Sequence, residues 1–431
     1  MKKILTGILF FSSFLCAMGQ QFTSPDALDY SSLEKKYNKS NEAMQNPKQN
    51  VKVKTWIERA DLLQKIGEVN VQYLRFGMSS SELKLLFKDP QEIKHDTTGK
   101  EIYVYPRVNV IFENKALKSW KVTKNIVEDP LQQSFDTYKK AMDMDKEGKE
   151  TKKFSENLKK LKSQFENDGI SEFNQDNYDQ AMKDFENVLE IGHLPIFKTF
   201  TDTSLLYNAG LAAYSAKNYE KALQYYSQAK DYKYGGANTY IYLKNAYLCL
   251  HDTAKALSIL KDGFQAYPGN NAILIEMINF YLVSGESQQA LDYLKLAKEK
   301  DPKNQSFYFA EGTLYEKLKE PAKAEESYKQ AIEVKPDYFD AYYNLGALHY
   351  NQAVEIFKAA GDIPLSETAK YNAQVEKANS CLKDALPFME KAHEINPKDI
   401  NTIQTLQTLY AKLQNFDKMK EMKALLDNLK K

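Results

Sequence analysis

Small and large apolar residues recur along the chain at a fixed interval. Ala222, Ala256, Ala290 and Ala324 lie 34 residues apart. A large apolar residue follows each alanine four positions later, and a small residue follows it seven positions later. Within each interval the apolar positions have the i, i+3, i+4, i+7 spacing of an amphipathic helix. Proline follows the last three alanines at a further fixed distance, and proline cannot continue a helix. The pattern therefore predicts repeated pairs of antiparallel helices.

Such pairs must stack on one another, because no single pair buries both of its apolar faces. The small residues are expected where two helices cross, since their missing bulk lets the axes approach. The register extends towards the amino terminus to Gly169 and Phe185. Towards the carboxyl terminus it continues with an insertion, which predicts one lengthened hairpin over residues 340–397 with a turn at 361–364. A polar last helix is expected to cap the stack.

The 34-residue period, with its small residues, aromatics and terminal proline, resembles the tetratricopeptide repeat. The stretches YNAGLAAYSAKNYEKALQYYSQA and FAEGTLYEKLKEPAKAEESYKQAIEVKP are most similar to the family pattern. The resemblance implies an all-α superhelix of helical hairpins over residues 129–431. It also implies a protein that binds other proteins and carries no cofactor.

In this family the first helices of the hairpins line a concave groove. Carried over to this sequence, the resemblance places five residues in a partner-binding groove: Tyr207, Asn245, Asn279, Phe309 and Tyr343. Aromatic side chains interspersed with amides are typical of a peptide-binding surface. The alternative for each residue is that it packs between neighbouring repeats. The family's carboxylate clamp for chaperone tails is not expected, because Ile241, Ile275 and Phe309 occupy one of its basic positions.

The amino-terminal part of the array is predicted to be split by an insertion. TWIERADLLQKI resembles the first helix of a repeat and SFDTYKKAMDMD the second, which would pair Ala60 with Ser134. The residues between them, 67–128, follow different rules. Ser79 and Glu82 form a capping box that starts a short helix. Three runs rich in β-branched and aromatic residues then predict a three-stranded antiparallel meander.

This small α+β module resembles, through GMSSSELKLLFKDP and VIFENKALKSW, the SmpA/OmlA-like modules of outer-membrane assembly lipoproteins. The alternative is a packing module of no specific family. Residues 20–66, before the module, are predicted to form amino-terminal helices.

The first nineteen residues indicate export. Lys2 and Lys3 precede an apolar run too short to span a membrane comfortably, and small residues follow at Ala17 and Gly19. Residues 1–19 are therefore predicted to be a Sec signal peptide, which places the mature protein in the periplasm and leaves open an association with the outer membrane. The charge is balanced at 59 basic against 58 acidic residues, so nucleic acid is not an expected partner.

No catalytic or metal-binding motif occurs in the sequence, and the five histidines are scattered. Two functions remain. The favoured one is a non-enzymatic scaffold of the cell envelope that binds a protein or peptide partner in the groove and contacts the membrane only through envelope proteins. The alternative is a periplasmic glycan-binding protein or hydrolase, with a site where the α+β module meets the helices. A platform formed by Trp56 and Trp120 would favour the alternative.

Overall fold

The computed structural model describes residues 30–87, 89–197 and 202–429, and the chain divides into two compact units. Unit 1 extends to Gly235 and unit 2 begins at Gly236. The predicted signal peptide lies outside the described residues. Within them, eighteen α-helices and one small antiparallel sheet confirm the predicted class, an all-α helical-hairpin repeat with an inserted α+β module. None of the helices in the described ranges combines the length and the hydropathy of a membrane span.

The described part of unit 1 contains eight helices. They are α1 (Tyr30–Gln45), α2 (Val53–Glu68), α3 (Ser80–Leu86), α4 (Pro130–Met144), α5 (Thr151–Asn174), α6 (Tyr178–Gly192), α7 (Thr203–Ser215) and α8 (Tyr219–Asp231). α5 packs on α6, and α7 on α8. The axes of α5 and α6 approach at Gly169, where an added Cβ would lie 2.8 Å from the ring of Phe185. The sequence register placed Gly169 at a crossing and gave Phe185 the position of the large apolar residue.

The predicted split repeat is confirmed by the packing of α2 against α4. Ser134 donates a hydrogen bond from Oγ to the carbonyl oxygen of Ala60 at 2.8 Å, and both residues are fully buried. Tyr138 donates to Asp61 Oδ1 at 2.5 Å, one turn further along. The two halves of this repeat are therefore adjacent in space although the α+β module separates them in sequence.

The module contains four strands rather than the predicted three. They are β1 (Glu92–His95), β2 (Glu101–Val104), β3 (Val108–Glu113) and β4 (Ala116–Val122), all antiparallel in the order β1-β2-β3-β4. The additional strand is β1, with the sequence EIKH. All four of its residues are exposed. Because β1 is an edge strand with no buried face, it carries no hydrophobic alternation from which it could be predicted.

The predicted capping box at Ser79 and Glu82 is present and starts α3.

Helix α5 covers the sheet at its other edge, which is strand β4. The backbone N–H of Trp120 donates to Ser171 Oγ at 2.8 Å, and Asn174 Nδ2 donates to the carbonyl oxygen of Lys118 at 2.7 Å. Side chains of α5 therefore bind the free edge of the sheet and fix the module against the helices.

The described part of unit 2 contains ten helices. They are α9 (Ala237–Cys249), α10 (Thr253–Ala266), α11 (Asn271–Ser284), α12 (Ser287–Lys300), α13 (Gln305–Lys317), α14 (Pro321–Val334), α15 (Phe339–Gly361), α16 (Thr368–Ile395), α17 (Ile400–Lys412) and α18 (Phe416–Leu429). Each odd-numbered helix pairs with the even-numbered helix that follows it. An added Cβ at Gly312 would lie 2.6 Å from the ring of Tyr328, and Ala324 is fully buried. The small residues thus lie at the helix crossings.

The hairpin of α15 and α16 is longer than its neighbours, with helices of 23 and 28 residues. A short 3-10 helix, Leu365–Glu367, joins them. Leu365 is 98% exposed at this tip, whereas Ala360, in the last turn of α15, is fully buried.

Candidate functional site

In unit 2, the first helix of each pair repeats the same surface positions. Ile241, Ile275, Phe309 and Tyr343 lie 34 residues apart on α9, α11, α13 and α15. Asn245 and Asn279 lie one turn further along α9 and α11. These six residues are called the first-helix face below, and they include four of the five residues that the sequence predicted as a binding groove.

The first-helix face is partly open to solvent. Ile275 is 40% exposed and Asn279 is exposed, whereas Asn245, Phe309 and Tyr343 are half-buried. Leu248, one turn beyond Asn245, is 37% exposed. Apolar side chains on the same helices, such as Met277, are fully buried on the opposite side. The face therefore presents apolar and amide groups on helices that are fixed from behind by packing.

Caps set the start of the helices that carry this face. Asn270 accepts a hydrogen bond from the N–H of Ile273 before α11, and Asn304 accepts one from Ser306 before α13. Gly236 precedes α9 with a φ of 56°, a value that glycine adopts without steric cost. Fixed helix starts hold the face in register from one repeat to the next.

Asn245 and Asn279 make no side-chain hydrogen bond within the described part of the chain. An amide side chain carries two donors and a carbonyl acceptor, so each residue keeps its full hydrogen-bonding capacity. Most half-buried polar groups in proteins are satisfied by a protein or water partner. These two amides are therefore available to a ligand that replaces water on the face.

Next to the amides, the charged groups of the face are neutralised within the chain. Lys244 on α9 donates from Nζ to Glu276 Oε2 on α11 at 2.6 Å. The Lys244 side chain is only 8% exposed, so its charge is directed into this pair. A ligand on the face would thus meet amide and apolar groups rather than a net charge.

Phe309 is held by aromatic neighbours. Its ring centroid lies 5.6 Å from that of Tyr328 and 5.5 Å from that of Tyr338. Tyr328 in turn donates its hydroxyl to Glu316, and Asn344 Nδ2 donates to that hydroxyl at 3.4 Å. Burial, together with the hydrogen bond to Glu316, raises the pKa of Tyr328. Phe309 therefore contributes to packing as well as to the surface.

Tyr207, the fifth predicted groove residue, belongs to unit 1 and is only 6% exposed. Its ring packs edge-on against Tyr226 and Tyr234, each at a centroid distance of 5.7 Å. Tyr234 lies beyond the end of α8 and covers the ring. Tyr207 thus packs between helices, which is the alternative that the sequence left open for each groove residue.

Potential metal ligands do not form a binding site in the described part of the chain. In residues 30–429, apart from the undescribed positions 88 and 198–201, no three His, Cys, Asp or Glu side chains are grouped as metal ligands. His349 stacks on Phe388 at a centroid distance of 5.8 Å and takes part in the packing of α15 on α16.

The two tryptophans do not share a surface. Trp56, in the first turn of α2, donates from Nε1 to the carbonyl oxygen of Asn50 at 2.7 Å. Trp120, on β4, is 5% exposed and stacks on Phe76 at a centroid distance of 4.7 Å. The aromatic platform that would favour glycan binding is therefore not formed by this pair.

The alternative function placed a site where the α+β module meets the helices, and unit 1 has a cavity there whose lining residues sequence reasoning did not identify. Its volume is about 600 Å³, and it is bounded by β4, the start of α4, and α5 and α6. Two of the side chains in its wall are Asp168 and Asp184. These directly precede Gly169 and Phe185, which the register assigns to one repeat and which lie in contact, and this is the signal that could have placed them together.

Comparison with protein families identifies the repeats. A TPR repeat model matches residues 322–352, and two tetratricopeptide repeat models match residues 247–308 and 168–237. The chain therefore carries tetratricopeptide repeats, as predicted. These matches do not extend into residues 67–128, so the resemblance of the α+β module to outer-membrane assembly lipoproteins stays a prediction.

Three solved structures similar to this chain are described as TPR proteins. One from Bacteroides fragilis is 25% identical, with a TM-score of 0.30, and the match covers 58% of this chain and 98% of the other. The C-terminal part of a TPR repeat-containing protein from Cytophaga hutchinsonii is 14% identical, with a TM-score of 0.45, and covers 61% and 93%. YrrB, described as a TPR protein with an unusual peptide-binding site, is 17% identical, with a TM-score of 0.33. That match covers 41% of this chain and 88% of YrrB. The comparison with curated proteins gave no match.

Proposed function

We propose that the protein is a non-enzymatic scaffold that binds an extended segment of a protein partner on the first-helix face of unit 2. One observation carries this proposal. Asn245 and Asn279 occupy the same position in successive repeats, and neither makes a side-chain hydrogen bond within the described residues. Partly exposed apolar side chains, Leu248 and Ile275, lie on the same two helices.

An extended peptide matches this combination of groups. Its backbone presents N–H and C=O groups to which amide side chains can both donate and accept. Its side chains alternate in direction, so apolar ones can be buried against Ile275 and Phe309 while others face solvent. Backbone recognition gives affinity without a strict requirement for sequence. The partner segment is therefore expected to be extended and apolar at alternate positions.

The neutral pair of Lys244 and Glu276 bears on selectivity. With no net charge next to the amides, long-range attraction contributes little to binding. Binding is then expected to depend weakly on ionic strength, in contrast to sites that capture charged tails.

We further propose that residues 1–19 direct export to the periplasm and that the partner is a protein of the cell envelope. Contact with the membrane would then be indirect, through that partner. The positive residues, short apolar run and small residues of this segment support export.

Replacing the two amides tests the proposal. The full-length mature protein would be used to capture partners from envelope extracts, and the captured protein identified by mass spectrometry. Its affinity would then be measured for wild type and for the double variant Asn245→Ala, Asn279→Ala. Because each lost hydrogen bond contributes about 1 kcal/mol, the double variant should bind about tenfold or more weakly. Neither amide supports the fold, so the melting temperature should not change.

Gln289→Ala is the matched control, since this amide is exposed on α12, a second helix. Phe309→Ala is less informative, because the ring also packs on Tyr328. Equal affinities for the double variant and Gln289→Ala would contradict the proposal.

A further inference from the structure

The cavity in unit 1 combines a polar wall with an apolar one. Asp168, Ser171 and Asp184 line one side, from α5 and α6. Leu131 and Phe165 contribute apolar surface. A volume of about 600 Å³ lies within the range of small-molecule sites. The cavity is large enough for an organic ligand of moderate size.

The two aspartates in the wall form no ion pair with any residue that the structure describes. Asp184 is 4% exposed and accepts one hydrogen bond, from Gln180 Nε2 to Oδ1 at 3.0 Å. Asp168 accepts one from Trp120 Nε1 at 3.3 Å. Within the described residues, Asp184 Oδ2 accepts no hydrogen bond and neither carboxylate forms an ion pair. A buried carboxylate that has neither a cationic partner nor a full set of hydrogen bonds is unusual in a folded protein.

Of the other acidic groups in the wall, Asp129 pairs with Lys183 at 3.1 Å, and Glu172 accepts from Asn177 Nδ2 at 2.7 Å. Glu128 is exposed to solvent. The less exposed acidic groups that lack such partners within the described residues are therefore Asp168 and Asp184. Burial raises the pKa of Asp184 to about 8, with the negative charge of Asp168 as the second cause. Burial likewise raises the pKa of Asp168 to about 7.

The surrounding structure holds the two carboxyl groups in place. α5 and α6 are in close contact at Gly169, where an added Cβ would lie 3.3 Å from Asp184 Cβ. Gln175 Nε2 and Ser171 Oγ both donate to the carbonyl oxygen of Trp120, at 2.9 Å each. These bonds fix the backbone of Trp120, and its indole, which donates to Asp168, stacks on Phe76 at a centroid distance of 4.7 Å. The wall therefore does not need to rearrange around a ligand.

We propose that this cavity binds a small organic cation, a primary ammonium or guanidinium group on an apolar stem, with Asp168 and Asp184 as its anionic partners. The cation would supply the hydrogen-bond donors that Asp184 Oδ2 lacks, and the stem would lie against Leu131 and Phe165. A metal ion fits less well, because no group of three suitable ligands occurs in the part of the chain that the structure describes. This site is separate from the first-helix face and does not depend on it.

Calorimetry with defined probes tests the proposal on the full-length mature protein. Cadaverine and agmatine carry the proposed groups, and 1,5-pentanediol is the uncharged analogue of cadaverine. At about pH 8.5 at least one of the cations should bind saturably with a Kd below about 1 mM, and pentanediol should not. Saturation that is absent up to about 10 mM for both cations, or equal binding of pentanediol, would overturn the proposal.

Variants locate the site. Asp184→Asn should weaken binding of the cation about tenfold or more, and so should Asp168→Asn, because each removes one anionic partner. Asp179→Asn is the matched control, since Asp179 is exposed on the same helix, and it should bind within about twofold of wild type. Binding that both site variants retain would rule out this cavity.

The same binding should weaken as the pH falls. Binding the cation requires ionised carboxylates, so affinity at about pH 6 should be about tenfold or more below that at pH 8.5. Lys121, Glu128, Asp129 and Glu172 are the remaining ionisable groups of the wall. A pH dependence that persists unchanged in the double variant Asp168→Asn, Asp184→Asn would show that these groups bind the probe instead.

Discussion

Replacing Asp184 by asparagine should make the stability of unit 1 less sensitive to pH. In the wild type, the folded state holds a proton on Asp184 up to about pH 8, whereas an unfolded aspartate loses it near pH 4. The folded state therefore binds more protons than the unfolded state between these values. Stability conferred by this group is fully present below about pH 4 and is lost as the pH rises towards 8. Asparagine has no proton to lose, and its Oδ1 can still accept from Gln180.

The magnitude follows from the difference between the two pKa values. A difference of about four units corresponds to about 5 kcal/mol, because each unit is worth about 1.4 kcal/mol. Over the two pH units from about 5.5 to 7.5, the free energy of unfolding should fall by about 2–3 kcal/mol through Asp184 alone. Asp168 lowers the free energy of unfolding further over the same pH range, and the Asp184→Asn variant keeps most of this contribution from Asp168.

Tryptophan fluorescence provides a reading of unit 1. The chain has two tryptophans, Trp56 and Trp120, and both lie in this unit. Urea unfolding would be followed by their emission at several values between about pH 5 and pH 8.5 for wild type, Asp184→Asn and the exposed control Asp179→Asn. The control should run parallel to wild type. If the Asp184→Asn curve is also parallel, then Asp184 is not protonated in the folded state and the reasoning fails.

Three further predictions concern packing and export. Ala324→Leu should lower the stability of unit 2 by about 1–3 kcal/mol, because it overpacks a helix crossing. Ala322→Leu, on the exposed side of α14, should change the stability little, and circular dichroism during urea unfolding measures both variants. Gly312→Ala should likewise destabilise the fold, since the added Cβ would meet a tyrosine ring. At Gly361 an added Cβ would have no atom within 4 Å, so Gly361→Ala should stabilise the fold by about 0.5–1 kcal/mol. Intact mass measured on protein from the envelope fraction should correspond to a chain that begins at Gln20, and an unprocessed chain would contradict the export proposal.

The repeats were predictable because their signal is periodic and redundant. Gly312, Ala324 and Tyr328 each occupy a position that several other repeats also fill with residues of similar size. Stacked helices impose a similar steric demand at most crossings, so the sequence records it many times, although Lys244 and Ile278 occupy the position of Gly312 in two repeats. The split pair of α2 and α4 was also predictable, since Ala60 and Ser134 obey that same demand across the inserted module.

Features that occur only once in the described structure were not predictable. β1 has no buried face, so its residues carry no pattern. Tyr207 occupies the same register position as Ile241, but only the structure shows that Tyr234 covers it. Asp168 and Asp184 belong to no motif, and aspartates on helices are normally solvated. The Trp120 indole that donates to Asp168 comes from β4, and the docking of β4 on α5 is a long-range contact that no local pattern encodes.

The hydrogen bonds from α5 to β4 also bear on the solubility of the chain. A sheet edge with free N–H and C=O groups can pair with the edge of another molecule and start aggregation. Ser171, Asn174 and Gln175 block one edge of this sheet, and the other edge is the short strand β1, with Glu92 and Lys94 exposed. A fragment that ended before Ser171 would leave the long, largely apolar strand β4 open. Truncated chains should therefore stay dispersed only when they include α5 and Gln175, the residue after it.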